Sequence, residues 1–171
     1  MAMTQAEAVA TLEEGRAQLE ALLASLDDGQ LSRPATIGGG DWSASDLLAH
    51  IAFWEEIALQ AAAEWRAGEP PWIEAVFREK RVDAVNAENF EKSRRDSPAV
   101  VRERAARAHR ELVELVAGMA EAQWVGRAPY RTSRRETLGM MLGAITGAPG
   151  RGFGHVFAHL ADLEAYVASL R

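Results

Sequence analysis

The sequence predicts an all-α fold, and three features carry that prediction. Alanine, the strongest helix former, fills 33 of the 171 positions, and Leu, Glu, Arg and Gln supply much of the rest. No stretch alternates apolar and polar residues among Val, Ile, Thr and Tyr for more than a few positions, so strands lack their signature. Apolar residues instead recur three and four apart over long runs that open on capping residues.

The first helix is predicted over 4–28, where Val9, Leu12, Leu19, Leu22, Leu23 and Leu26 form one stripe. A loop follows over 30–41, broken by Pro34 and the Gly38-Gly39-Gly40 run. That run lacks the Gly-Lys-Ser/Thr of a phosphate loop and reads as a turn. The second helix opens at Ser43, with Asp46 three residues on as a capping box. It closes at Gly68, ahead of Pro70-Pro71. Two apolar groups come next: Trp72, Ile73, Val76 and Phe77, then Val82, Val85, Asn89 and Phe90. They predict one or two short helices crossing over the bundle. The third long helix starts from Ser97 with Pro98 at its first position, and its stripe is Val101, Ala105, Ala108, Leu112, Leu115 and Met119. After a loop over 123–132, Ser133 and Glu136 offer another capping box before LGMMLGAIT. Gly147, Pro149 and Gly150 interrupt, and a last helix is expected over 152–170. Four long helices with short crossover pieces make a four-helix bundle.

Composition bounds the function. A chain of 171 residues is the size of one domain, here expected over 1–171, and it buries about 70% of its unfolded surface without a staple. It contains no cysteine, which excludes disulfides, thiolate zinc sites, iron–sulfur clusters and a cysteine nucleophile. A net charge of -6 argues against a nucleic-acid partner, which calls for a positive footprint. The acidic N-terminus differs from a signal peptide, and the weakly polar run 138–148 falls short of the roughly 20 residues a membrane span requires. The expectation is a soluble, cytoplasmic protein with no membrane partner.

Histidine placement is the chemical signal. His155 and His159 stand four apart in the predicted last helix, on one face about a turn from each other, as in a helical metal grip. They edge the stripe of Val156, Leu160, Leu163 and Val167. His50 falls among Leu47, Ile51, Trp54 and Ala58 on the inward side of the second helix. Three histidine ligands would leave a coordination position open, as catalytic metal sites do. Spacing alone leaves a second reading standing, in which these are satisfied core histidines. It cannot show that the two helices meet.

Around these positions, Asp46 and Asp162 are candidates to orient the imidazoles, although Asp46 already serves as a cap. Glu55 and Glu56 read as solvated, and His109 as partly exposed and structural. Asn86 and Asn89 are polar positions on a crossover helix that could lie over a pocket and orient a substrate. Five arginines (Arg127, Arg131, Arg134, Arg135 and Arg151) stand against one acid, Glu136, between 126 and 151. They read either as a site for an anionic substrate or as a solvated face or subunit contact. Trp124 and Tyr130, in the same stretch, are candidates for a pocket wall or a dimer surface.

Three segments carry a family resemblance: DWSASDLLAHIAFWEE at 41–56, DAVNAENFEKSR at 83–94 and ITGAPGRGFGHVFAHLADLEAYV at 145–167. In order and spacing the chain resembles the DinB-like metal-binding bundle superfamily, in particular the branch related to the colibactin self-protection hydrolase. The shared pattern is a Trp-Ser start to the second helix, a His about seven residues into it, and a terminal His-x3-His. The 147–150 stretch is longer than in that pattern. The resemblance implies a DinB-like four-helix bundle in which His50, His155 and His159 hold a divalent metal ion, with zinc, nickel and iron all suited to imidazole. It implies a metal-dependent transferase or hydrolase acting on a small electrophilic molecule, with water or a thiol activated by a lowered pKa. In a chain without cysteine, that thiol comes from a low-molecular-weight cosubstrate. The alternative is a non-catalytic protein that sequesters a small molecule or metal during stress. The resemblance also suggests a homodimer.

Overall fold

The computed structural model describes residues 3–38, 40–130 and 137–171. Among these residues there is no strand, only three isolated β-bridges, as the alanine-rich composition predicts. The capping box at Thr4 and Glu7 starts α1 (Gln5–Leu23), with the Thr4 backbone N–H donating to Glu7 Oε2 at 2.8 Å. This helix stops five residues before the expected end. Ser25 and Leu26 donate to the carbonyls three residues back, and Asp27 with Gln30 forms a new capping box for α2 (Asp28–Leu31). The acidic residues of this segment thus begin a second helix rather than extend the first.

Ser43 caps α3 (Ala44–Arg66) with Asp46, as expected. Gly68, at φ +81°, turns the chain out of it. The crossover consists of two helices, α4 (Trp72–Arg78) and α5 (Val82–Ser93). Ser97 caps α6 (Pro98–Ala117), whose buried residues Val101, Ala105, Ala108, Leu112 and Val116 recur at helical spacing. A short α7 (Glu121–Trp124) precedes α8 (Leu138–Ile145), which Thr137 caps through the Met140 N–H. The expected capping box of Ser133 and Glu136 lies outside the described residues. The last helix, α9 (Phe157–Ser169), begins five residues later than predicted.

The bundle is built on α1, α3, α6 and α9. Helix α3 packs along α6, and α1 packs on both α6 and α9. Helices α5 and α8 lie against α3. The apolar core falls into two clusters. One gathers Leu12, Trp54, Ala58, Leu112 and Leu142; the other gathers Leu19, Leu47, Ala52, Ala105 and Leu163. Between them, in sequence, fall the buried Arg16 on α1 and the partly buried His109 on α6, and the buried Glu55 of α3, beside Trp54, meets His109. His155 falls at the same boundary, between Phe153 of the first cluster and Val156 of the second, while His50 lies beside Ile51 of the second.

Candidate metal centre

The geometry of the histidines begins with backbone devices. Ser43 and Asp46 fix the start of α3, and His50 sits two turns in, 5% exposed. His155 does not belong to α9, contrary to the sequence expectation. It stands in the turn before that helix, where its N–H donates to the Thr146 carbonyl at 2.9 Å. The glycine-rich 147–150 stretch makes that placement possible. Ala148 and Arg151 exchange two backbone hydrogen bonds at 2.9 and 3.0 Å, closing a tight turn with Gly150 at φ +79°. A Cβ on Gly147 would collide with the Gly143 carbonyl oxygen. His159, in the first turn of α9, has its N–H on the Val156 carbonyl at 2.9 Å.

Three imidazoles therefore arrive from two elements and one turn. His155 Nε2 lies 3.1 Å from His50 Nε2 and 3.1 Å from His159 Nε2. One nitrogen from each of the three lies within 4.8 Å of the others. Burial holds all three neutral. The His50 pKa is pushed down to about 2, by desolvation first and then by His155 and His159. That of His155 is pushed down to about 3 by desolvation and His159. His159 is lowered too, by burial, with Asp162 pulling the other way.

This donor set fits a divalent cation. A neutral imidazole nitrogen either donates or accepts, so hydrogen bonds alone do not satisfy three convergent lone pairs. Nitrogens sharing one ion at about 2.0–2.1 Å lie at separations of this order. Borderline metals such as zinc, nickel and iron prefer imidazole, whereas magnesium and calcium prefer oxygen.

The surroundings are aromatic. Trp42 packs at 4.9 Å from the His50 ring and stacks on Phe90 of α5 at 5.9 Å. Trp54 lies edge-on to His155 at 6.3 Å, stacks on Phe77 of α4 at 6.2 Å, and donates its Nε1–H to Asn86 Oδ1 at 3.0 Å. Asn86 thus orients a tryptophan of the wall. The crossover helices cover the histidines through these two stacked pairs. The sequence placed Trp54 on the inward stripe, but Trp42 carried no periodicity, because it precedes the helix.

Several neighbouring residues do otherwise than their sequence suggested. Asp46 spends its carboxylate on the Ser43 N–H and hydroxyl at 2.8 and 2.6 Å, and His50 Nδ1 is buried without a partner among the described residues. Glu55 is not solvated: it is 3% exposed and meets His109 Nδ1 at 2.8 Å. Glu56 pairs with Arg104 through both oxygens, at 2.8 and 2.5 Å. Asp162 is exposed and reaches His159 only through its field. Trp124 is a core residue, stacked on Phe153 and donating to the Met3 carbonyl at 3.0 Å. Tyr130 packs edge-on against Trp65 at 5.4 Å. Arg151 covers the Phe157 ring at 3.5 Å and reaches Glu14 at 3.4 Å. Arg127 bridges to Thr137, while Arg131, Arg134 and Arg135 lie outside the described residues. Among the described residues, no helix is long and apolar enough to cross a membrane.

Known proteins share this architecture. A crystal structure of an uncharacterised protein from Escherichia coli UTI89 is similar over 98% of this chain and 94% of that one, with a TM-score of 0.79 and 16% identity. At that identity the likeness is one of fold. No curated protein matches the chain. The family model for the mycothiol maleylpyruvate isomerase N-terminal domain matches residues 12–146, a span that includes His50 and ends before His155. The chain belongs to the mycothiol maleylpyruvate isomerase N-terminal domain family, a metal-binding group within the DinB-like helical superfamily.

Proposed function

We propose that this protein is a metal-dependent transferase or hydrolase for a small electrophilic molecule, with His50, His155 and His159 holding one divalent ion. The observation that carries the reading is the convergence of three neutral imidazoles, with His155 Nε2 at 3.1 Å from both His50 Nε2 and His159 Nε2, beside Trp42 and Trp54. When bound, zinc, nickel or iron supplies a Lewis acid with coordination positions left open for substrate. The chain's own residues provide the setting. Burial keeps the imidazoles unprotonated and ready to ligate at neutral pH. Trp42 and Trp54, braced by Phe90 and Phe77, exclude water from the imidazoles and present flat apolar walls to a substrate. The family is named for a mycothiol-dependent enzyme, and this chain has no cysteine. Both facts favour a low-molecular-weight thiol as cosubstrate.

A non-catalytic role in binding a metal or small molecule is the second reading. It is favoured by the commitment of Asp46 and Glu55 to other partners, which takes two nearby carboxyl groups out of acid–base work. Metal content by mass spectrometry on untagged protein, beside His155→Ala, tests the site. Near-stoichiometric zinc, nickel or iron, lost in the variant, supports it; no metal after incubation with each ion removes it. Thiol consumption with electrophilic substrates then separates enzyme from binding protein.

A further inference from the structure

A groove of about 370 Å³ opens between α3, α5 and α6, at the small end of the roughly 300–1,000 Å³ typical of small-molecule sites. Phe53 and Ile57 of α3 line it with apolar surface, while Asn89, Lys92, Asp96 and Arg104 bring polar groups to it. Asn89 is 7% exposed, yet its amide makes no hydrogen bond among the described residues. Its amide atoms are not sealed in the interior but open to the groove. An entering polar group can therefore satisfy them.

The charges narrow the ligand. Arg104 is occupied by both oxygens of Glu56, so those two charges offset each other. Lys92 and Asp96 make no side-chain hydrogen bond or ion pair among the described residues. Asp96 acts on Arg104 only through its field. One available cation, one available anion, an unpartnered amide and an apolar lining match a small zwitterion with an apolar body. A simple anion would face Asp96, and a simple cation would face Lys92. We propose that the groove binds an α-amino acid with an apolar side chain. Its carboxylate meets Lys92 and the Asn89 amide N–H, its ammonium meets Asp96, and its side chain packs on Phe53 and Ile57. This site is separate from the metal centre and stands whatever that centre proves to do.

An NMR titration of the full chain with L-leucine tests it, with 4-methylpentanoate and isopentylamine as analogues that each keep one charge. Leucine is expected to bind saturably and to perturb amides within 53–60 and 89–96. Affinity should fall at least tenfold in Asn89→Leu and in Lys92→Met. Lys92 is exposed, so its variant keeps the fold and isolates the binding effect. Either analogue binding as tightly as leucine overturns the zwitterion assignment. No saturation with leucine, or unchanged affinity in Lys92→Met, overturns the site.

Discussion

Glu55 of α3 and His109 of α6 meet at 2.8 Å, with the Glu55 side chain 4% exposed and that of His109 13% exposed. The second Glu55 oxygen is buried without a partner among the described residues. The pair joins the two most closely packed helices of the bundle, and it is strongly interdependent, because removing either partner strands the other in a poorly solvated place.

Replacing one member should therefore cost more than replacing both. His109→Leu is expected to destabilise the fold by about 3 kcal/mol, and the double replacement Glu55→Leu with His109→Leu by much less. Urea unfolding of the two single variants and the double variant gives the coupling directly. Additive losses would show that the contact contributes nothing of its own.

The depressed histidines set a pH dependence for the metal-free protein. Their folded-state pKa values lie below the ordinary value of about 6.5, so below pH 6.5 the unfolded chain binds more protons than the folded one. Stability is full above pH 6.5 and falls as the pH drops beneath it. Urea midpoints at pH 7.5, 6 and 5 should decline in that order, and His50→Gln should flatten the decline. A bound ion should delay the loss, since protons then compete with metal for the same nitrogens.

Gly139 is held by packing. A Cβ there would come within 2.5 Å of the Trp124 indole, and Trp124 is itself 3% exposed against α8. Gly139→Ala should cost roughly 1–3 kcal/mol through overpacking and shift the tryptophan fluorescence. The same substitution at Gly40, where a Cβ meets nothing within 4 Å, is the neutral control.

Leu163 is fully buried on α9 within the cluster beside the histidines. Leu163→Ala should destabilise by about 2–5 kcal/mol. Loosening α9 moves His159, so metal affinity should fall as well; calorimetric titration with zinc would read that second effect. An unchanged affinity would mean that the histidine cluster is positioned independently of the core beneath it.

Local patterns determined much of this protein. The stripe of Val101, Ala105, Ala108 and Leu112, the Ser43–Asp46 box, Pro98 and Gly68 are all decided by short-range sterics and hydrogen bonds. They could be read without a partner segment, and so could the inward setting of His50. The end of α1 was misjudged because Asp27 can either continue a helix or cap the next one, and Gln30 tips that balance. The position of His155 was misjudged because helical spacing looks the same whether a residue lies in the helix or in the turn that feeds it. Only tertiary structure brought together His50 and His155, 105 positions apart, buried Glu55 against His109, and left Asn89 facing a groove. Those outcomes depend on which faces of distant helices pack together, and a periodic stripe carries no information about its partner.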